Sequence, residues 1–269
     1  MAPDLSVIIV NYNGVKYLKA CLDSLIRQLD RLTSEIIVVD NNSADESVEF
    51  IKANYPQIIL LETNENLGFG KGNNLGVKSA KSDTLLLINN DTIVQDNLLP
   101  VFNFLQSNKN IGVVGINMLN KEMKYLPATG IFPTPGNLLQ LKKLLERRAG
   151  FKTGTFSKNH YEVDWLVGSF LMLSKKIYEE IMGFDEDYHM YVEDIDFCRK
   201  IADKGYKRIF LPAFSYIHFV GYNQQRNLLL INGYQMYVSK HLSGINKMLC
   251  QVSLQINSAV KKTRLLLLK

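Results

Sequence analysis

Paired cysteines and long apolar runs are both missing from this chain of 269 residues. No segment reaches the roughly 18 apolar residues that a membrane span needs. The three cysteines, Cys21, Cys198 and Cys250, lie far apart without a CxxC spacing, which argues against a disulfide framework or a zinc site. The apolar stretch at 5–10 is too short for the core of a secretory signal. We therefore expect a cytoplasmic protein, either soluble or peripheral on a membrane.

Acidic residues are absent from the last quarter of the chain. Residues 204–269 contain ten of the 31 Lys and Arg residues and none of the 26 Asp and Glu residues. Apolar residues at three- and four-residue spacing over 245–268 predict an amphipathic helix. Such a helix could lie peripherally on an anionic membrane, or pack on its own domain or on a second copy in a homodimer. Nucleic acid is not an expected partner, because aromatic residues do not alternate with the basic ones.

Short apolar runs alternate with amphipathic stretches over the first 118 residues. Strands are predicted at 5–10, 36–39, 58–61, 85–88 and 111–116, and helices near 15–29, 44–54, 71–80 and 97–106. This alternation predicts an α/β fold with a mostly parallel sheet and right-handed crossovers. Ser43 and Glu46 have capping-box spacing, so the second helix is predicted to begin at Ser43.

The alternation ends between residues 120 and 160. Prolines and glycines interrupt this stretch, and residues 138–148 predict a short basic helix between flexible pieces. Further helices are predicted at 175–182 and 195–204. The expected organisation is one domain over 1–225, with a nucleotide-binding half (1–118), a flexible acceptor loop (119–162) and an acceptor and catalytic half (163–225), followed by a helical basic segment (226–269).

Polar side chains follow the first two predicted strands. Asp40 and Asn42 come directly after the run at 36–39, and the first strand ends in Asn11, Tyr12 and Asn13. Carboxyl ends of parallel strands meet at the sheet edge where ligands bind. These amides and the ring could hold a flat base, and Asp40 could accept the imide N–H of a pyrimidine. An Asx turn at Asp40 is the purely structural alternative.

The most apolar predicted strand ends in Asn89, Asn90 and Asp91. One carboxylate with amide neighbours is a sparse metal site. Mg²⁺, however, usually takes one or two protein carboxylates and completes its shell with phosphate oxygens and water. Asp91 is therefore sufficient as a metal ligand if the bound molecule carries a diphosphate.

Residues 64–74 form a glycine-rich passage into a helix. They match neither GxGxxG nor GxxxxGK[ST], so they predict neither a dinucleotide fingerprint nor a P-loop. The glycines would still allow the backbone to approach a phosphate or a ribose, with Lys71 and either Asn73 or Asn74 as polar contacts. A flexible turn is the alternative.

Six carboxylates lie within residues 185–196. Some are expected to form a solvated acidic turn. Glu193 and Asp194, however, directly precede a predicted helix and have apolar neighbours, and burial there would raise a carboxylate pKa toward that of a useful base. One of the two is therefore the candidate general base.

These motifs, in this order, resemble family 2 glycosyltransferases, especially the bacterial rhamnosyltransferase-like group. The resemblance is carried by residues 6–13, 38–43, 66–70, 87–91, 183–186 and 191–196. It implies a GT-A fold and inverting transfer of a sugar from a nucleoside diphosphate donor to a saccharide acceptor. On this basis Asp40 reads the base, Asp91 binds Mg²⁺ or Mn²⁺, and Asp194 is the general base. Asn89 stands where a full DxD motif has its first acidic residue, as it does in the rhamnosyltransferase-like relatives.

The resemblance also implies roles for later residues. His218 is similar to a late histidine that some GT-A enzymes use as a further metal or diphosphate ligand. Trp165, Gly168 and Ser169 match the segment that lines the sugar and acceptor side, with Glu193 nearby. Trp165 could stack on a sugar face, and core packing is the alternative.

The donor and acceptor follow from the same resemblance. The expected donor is dTDP-rhamnose, with a UDP-hexose or a UDP-N-acetylhexosamine as the alternative. The expected acceptor is a saccharide, lipid-linked or free, of cell-envelope polysaccharide synthesis. Two other classes stay open, a nucleotidyltransferase and a non-catalytic nucleotide-sugar-binding protein. The first is disfavoured because no glycine- and arginine-rich phosphate loop follows the first strand.

Overall fold

The computed structural model describes residues 2–219 and 226–267, with side chains for 2–219 and 229–261. Its strands are β1 (Leu5–Asn11), β2 (Ser34–Asp40), β3 (Ile59–Glu62), β4 (Thr84–Asn89), β5 (Thr92–Val94), β6 (Ile111–Leu119), β7 (Tyr125–Leu126), β8 (Thr129–Gly130), β9 (Tyr161–Glu162), β10 (Trp165–Leu166), β11 (Phe170–Ser174) and β12 (Lys207–His218). Its helices are α1 (Val15–Gln28), α2 (Ser47–Asn54), α3 (Gly68–Ser79), α4 (Leu99–Gln106), α5 (Pro135–Leu138), α6 (Ala149–Thr153), α7 (Lys175–Glu180), α8 (Glu193–Asp203), α9 (Arg226–His241) and α10 (Gly244–Leu267), with a 3-10 turn at Leu141–Leu144.

A mostly parallel central sheet organises these elements. Its strand order is β3-β2-β1-β4-β11-β6-β12-β5, with β7 and β9 added at β6 and β12. β1 pairs in parallel with β2 and β4, and β2 with β3, because α1, α2 and α3 return the chain between them. β11 lies antiparallel between β4 and β6. The α/β prediction is confirmed.

The central strands are buried on both faces. Val7, Ile8 and Ile9 have no solvent exposure, as expected for parallel strands that helices cover on both sides. Ile8 belongs to the apolar cluster that also receives α7, α8 and α9, whereas its neighbours Val7 and Ile9 belong to the cluster under α1 and α4. This period of two divides the core into two layers. The layer that contains α8 and α9 includes Trp165, whereas Met118 and Tyr216 belong to the other layer.

The two last helices pack on the rest of the chain. Tyr234, Tyr237 and Val238 of α9 are at most 4% exposed. Asn257 of α10 donates to the carbonyl oxygen of Leu138 at 3.1 Å, which fastens α10 to α5. Among the described residues, no helix combines the length and apolarity that a bilayer crossing requires.

Two local predictions are wrong. α2 begins at Ser47 and not at Ser43, because the Ser43 backbone N–H donates to Asp40 Oδ1 at 2.8 Å and its hydroxyl donates to Asp40 Oδ2 at 2.7 Å. Ser43 therefore closes the turn after β2. The basic helix over 138–148 is replaced by α5, the 3-10 turn and an extended segment at 145–146 that pairs with β8, where Glu146 N donates to Thr129 O at 3.1 Å.

Gly76 of α3 offers a test of how closely this helix packs on the sheet. A Cβ at Gly76 would lie 2.5 Å from Ile8 Cγ2, a stiff branch in the core, whereas a Cβ at Gly136 of α5 would meet nothing within 4 Å. Both Gly→Ala changes gain helix propensity of about 0.5–1 kcal/mol, but only the first overpacks the core, at about 1–3 kcal/mol. We expect Gly76→Ala to unfold at lower urea concentration than Gly136→Ala. Equal midpoints would contradict this packing.

Candidate active site

The carboxyl ends of three neighbouring strands form one edge of the sheet. In register, Asn11 of β1 lies beside Asp40 of β2, and Val10 lies beside Asn89 of β4. From β1 the chain moves outward to β2 and β3 and then returns to β4 on the other side of β1. The point where the strand order reverses is where open α/β sheets bind ligands. The predicted edge is thus formed.

A buried hydrogen-bond network fixes Asp40 at this edge. Asp40 is 2% exposed, and its Oδ2 accepts from Asn11 Nδ2 at 2.8 Å as well as from Ser43. The Asn11 Oδ1 accepts in turn from Asn90 Nδ2 at 2.6 Å. An ionised carboxylate accepts about four hydrogen bonds, and Asp40 receives three from these partners, so it can accept another from a ligand. The side-chain amides of Asn11 and Asn90 therefore hydrogen-bond within the protein.

The other residues predicted to meet the nucleotide divide into two groups. Tyr12 is 51% exposed, and Asn42 is exposed with a positive φ of 61°, so both side chains are accessible to a ligand. Asn13 instead accepts from Ala44 N at 2.7 Å and has a φ of 51°, which is a turn-forming role. Asparagine tolerates this left-handed region better than most residues.

The glycine-rich passage enters α3 at Gly68, three residues before the predicted start. Asn41 Nδ2 donates to Gly68 O at 3.0 Å, so the start of α3 is tied to the end of β2. Lys71 is exposed on the first turn. Asn73 is 2% exposed and its amide donates to Phe69 O at 2.9 Å, which commits that donor to the helix itself.

Asp91 and His218 meet although 126 residues separate them in sequence. Pairing of β5 with β12 sets His218 opposite Thr92. His218 Nε2 lies 3.1 Å from Asp91 Oδ1 and 3.4 Å from Asn89 Nδ2. The Asn89 Oδ1 is buried and has no hydrogen-bond partner among the described residues. A carboxylate, an imidazole and an amide group thus lie together.

Each ring nitrogen of His218 has an acceptor beside it, the Met118 sulfur at Nδ1 and the Asp91 carboxylate at Nε2. The Met118 sulfur lies 3.4 Å from His218 Nδ1, and a thioether only accepts, so a hydrogen bond there requires the proton on Nδ1. In that tautomer the Nε2 lone pair faces Asp91, and two facing acceptors fit a divalent cation. The part of the chain that the structure describes has no cluster of three His, Cys, Asp or Glu side chains, so a donor diphosphate and water would complete the coordination.

Asp194 lies in the first turn of α8. Its Oδ2 accepts from Gly168 N at 3.1 Å and its Oδ1 from Ile195 N at 2.9 Å. A Cβ at Gly168 would lie 3.2 Å from the Phe69 ring, so glycine permits this close approach. Asn89 N donates to Ser169 O at 3.3 Å. Residues 168 and 169 thereby connect Asp194 to the edge that carries Asp91 and His218.

Glu193 and Asp194 have different environments. Glu193 is 8% exposed, and its Oε2 has no hydrogen-bond partner among the described residues. Burial, followed by the nearby Asp194 charge, raises the pKa of Glu193 above its ordinary value. The protonated form of Glu193 is therefore favoured. Asp194 is less buried and has a fixed orientation, so it is the better placed of the two to accept a proton.

Trp165 and Ser169 face the interior. Trp165 is 7% exposed and its indole N–H donates to Ile131 O at 3.1 Å. Stacking of Trp165 on a sugar is thus corrected to core packing, because both its surface and its donor are used within the protein. Ser169 is 2% exposed and its hydroxyl lies 2.6 Å from the Tyr216 hydroxyl.

Sequence reasoning missed Met118 and Tyr216. Tyr216 lies two residues before His218 on β12. The period of two in a strand puts both side chains on one face, so the sequence could have indicated that Tyr216 lies near His218. Met118 is an apolar residue in an apolar strand and had none.

The fold is that of the GT-A glycosyltransferases. The structure matches GalNAc-T7, solved with UDP, GalNAc and Mn²⁺, with a TM-score of 0.67 at 17% identity over 87% of this chain and 48% of that chain. It also matches the mannosyltransferase PcManGT from Pyrobaculum calidifontis, solved with GDP-Man and Mn²⁺, with a TM-score of 0.63 at 16% identity over 96% and 74%. At such identities the likeness establishes the fold.

The chain belongs to glycosyl transferase family 2, whose model matches residues 6–182. A second model, described as the N-terminal domain of galactosyltransferase, matches residues 151–223.

Curated relatives carry related names. The low-salt glycan biosynthesis hexosyltransferase Agl10 of Haloferax volcanii is 28% identical over 74% of this chain, which spans only 61% of that relative's length. Rhamnosyltransferase WbbL of Escherichia coli K12 is 27% identical over 81% of this chain and 84% of its own length. The N-acetylglucosaminyl-diphospho-decaprenol L-rhamnosyltransferase of Mycobacterium tuberculosis is 24% identical over 84% of this chain and 80% of its own length.

Proposed function

We propose that this protein is an inverting, metal-dependent glycosyltransferase that transfers L-rhamnose from dTDP-rhamnose to a saccharide acceptor in cell-envelope polysaccharide synthesis. The observation that carries the proposal is the connection of Asp194 to the edge of Asp91 and His218 through residues 168 and 169. Two relatives are named rhamnosyltransferases, which supports this donor. The alternative donor is a UDP-hexose or a UDP-N-acetylhexosamine.

The donor side comprises the ends of β1, β2 and β4. Asp40 accepts the base imide N–H, and Tyr12 and Asn42 contact the base or the ribose. Lys71 offsets diphosphate charge from the first turn of α3. Asp91, His218 and the Asn89 amide oxygen would hold Mg²⁺ or Mn²⁺, which when bound offsets the charge that develops on the leaving diphosphate. The two solved neighbours contain Mn²⁺, which supports a divalent metal.

The acceptor side comprises residues 163–225, with 119–162 as the acceptor loop. Asp194 removes the proton of the acceptor hydroxyl while that oxygen bonds to the anomeric carbon, and the bond from this carbon to the diphosphate breaks on the opposite face. One displacement inverts the centre. The N–H groups of Gly168 and Ile195 orient the carboxylate for this step.

The exposed face of α10 supports an anionic membrane as a peripheral partner. Its solvent-exposed apolar side chains, each 43–68% exposed, are Ile245, Met248, Leu249, Val252, Ile256 and Val260. Helical spacing aligns them along one side, and Leu139 of the adjoining segment, 42% exposed, lies beside Asn257. The acid-free sequence after residue 203 would attract anionic lipid and repel a second copy. A lipid-linked acceptor, as named for the mycobacterial relative, fits this surface.

Asp194→Asn tests the base. The variant should fold and bind donor, but its transfer rate should fall about 10²- to 10⁴-fold, because the amide cannot take a proton. Product formation measured by mass spectrometry checks this. Glu179→Gln on α7, an exposed carboxylate beyond the far end of β11, is the matched control and should keep wild-type turnover. Donor binding without transfer in the wild type would instead indicate a non-catalytic binding protein.

A thermal-shift panel tests donor and metal together. dTDP-rhamnose with Mn²⁺ at about 100 Kd should stabilise the wild type by about 2.7 kcal/mol, a rise of several degrees in Tm. UDP-glucose, UDP-galactose, UDP-N-acetylhexosamines and GDP-mannose should give less. The gain should disappear in Asp91→Ala and persist in Asp83→Ala, at the opposite end of β4. A Tm shift with a UDP-sugar and not with dTDP-rhamnose would make the UDP-sugar the donor. A Tm shift that persists in Asp91→Ala would refute the metal site.

Vesicle co-sedimentation tests the membrane surface. Wild type should bind phosphatidylglycerol vesicles better than phosphatidylcholine ones, and high salt should weaken the binding. Ile256→Glu should reduce binding about 10-fold or more, because an apolar contact of about 1.5–3 kcal/mol is lost. Gln251→Glu adds the same charge outside the apolar face and should bind nearly as wild type. A dimer in ultracentrifugation that Ile256→Glu dissociates, without vesicle binding, would assign the face to a homodimer.

A further inference from the structure

The turn that leads into α8 has a strained backbone. Tyr191 has a φ of 68° and Val192 a φ of 73°. This left-handed region is rare for aromatic residues and rarer for β-branched ones, and each such residue costs about 1–3 kcal/mol. Conformations of this kind persist only where their surroundings hold them. Val192 is 2% exposed, and Asp194 follows two residues later.

Gly233 of α9 lies directly against this turn. A Cβ at Gly233 would stand 2.7 Å from Val192 Cγ2 and 2.9 Å from Tyr191 O. Distances under 3 Å to a backbone oxygen leave no room for a side chain, so the helix backbone itself forms the contact. A glycine inside a helix is less stable than alanine by about 0.5–1 kcal/mol. Close approach to the turn explains why glycine stands at this position.

The last turn of α9 holds the first turn of α8. His241 Nε2 lies 2.6 Å from Asp196 Oδ1, and Asp196 is 1% exposed. Tyr188 donates its hydroxyl to the same carboxylate at 3.3 Å, and Lys200 Nζ lies 3.8 Å from Asp196 Oδ2. A buried carboxylate requires such partners. His241 is the nearest of them and comes from a different helix, so it ties α9 to the residue two positions after Asp194.

A third contact joins α9 to the acidic turn at residues 185–187. Lys240 donates to Asp187 Oδ2 at 2.7 Å and to Asp185. Burial raises the pKa of Asp185, but the hydrogen bonds from Lys240 and from the Asp187 N–H hold it below its ordinary value. α9 therefore contacts the segment before Asp194, the turn beside it and the helix after it.

We propose that α9 positions the catalytic base, with Gly233 and His241 as positioning residues that keep the Asp194 carboxylate on the Gly168 N–H. This inference rests on the proposed role of Asp194. Neither residue touches the substrate. Each acts by fixing the backbone from 191 to 196, and displacement of a reacting group by about 1 Å is enough to reduce a rate about 10²-fold.

Gly233→Ala in the full-length protein is the first test. The added methyl pushes on the turn, so kcat should fall about 10- to 100-fold while the donor KM and the donor-induced Tm shift stay as in the wild type. Asn232→Ala, an exposed neighbour on α9, is the matched control and should keep kcat. Adding Val192→Gly to Gly233→Ala removes the colliding side chain and should restore part of kcat. Wild-type kcat in a folded Gly233→Ala protein would overturn the inference.

His241 provides a second test that needs no steric clash. His241→Ala should lower kcat about 10-fold at unchanged donor KM, and His241→Gln, which keeps an N–H donor, should recover most of it. Equal changes in kcat and KM, or no difference between the two variants, would overturn the positioning role.

Asp194→Asn, measured alongside the Gly233 and His241 variants, distinguishes failure of the base assignment from failure of the positioning role. If it loses transfer while the α9 variants keep wild-type kcat, the base assignment stands and the inference falls. If Asp194→Asn keeps transfer, the proposed mechanism falls first, and the inference falls with it.

Discussion

Two backbone contacts at residues 168 and 169 hold the site together. Gly168 donates its N–H to Asp194, and Ser169 accepts from Asn89 N. On one side of this link lies the helix with the proposed base Asp194, and on the other the strand end with the proposed metal ligands Asp91 and His218. Side-chain variation does not alter these bonds as long as residue 168 stays small. The distance between Asp194 and the pair Asp91–His218 is therefore set by the sheet.

The polar residues at this edge perform two tasks, and only some contact ligands. Asn11, Asn90 and Asn13 satisfy one another, Asp40 and the turn backbone, so they stiffen the loops. Asp40 and Asn89 instead keep unused acceptor capacity. In a buried setting an unsatisfied acceptor costs free energy unless a ligand supplies its partner. The unsatisfied oxygen of Asn89, whose amide nitrogen lies 3.4 Å from His218, therefore supports the proposed cation site more than the presence of acidic residues does.

Periodicity and strand ends made the first half of the fold predictable, because apolar runs followed by Asp40 and Asn89 mark the carboxyl edge of a parallel sheet. The second half was less accessible. Ser43 has capping-box spacing, yet Asp40 competes successfully for its donors. The sequence favours sugar stacking and core packing equally for Trp165, and its burial in the structure assigns it to the core. No sequence rule predicts a left-handed valine at 192, although Gly233 within a helix was a signal that something approaches closely.

The strained turn and the buried Asp196 both reduce stability, so the surrounding structure must offset them. α9 does so by apolar burial, because Tyr237 and Val238 are fully buried and each such side chain contributes about 1.5–3 kcal/mol. The same helix supplies Gly233 and His241. The energy that anchors α9 therefore also maintains the backbone that orients Asp194. By this reasoning α9 belongs to the proposed active site as a supporting element, whereas α10, which presents its exposed apolar face to solvent, takes no part in this support.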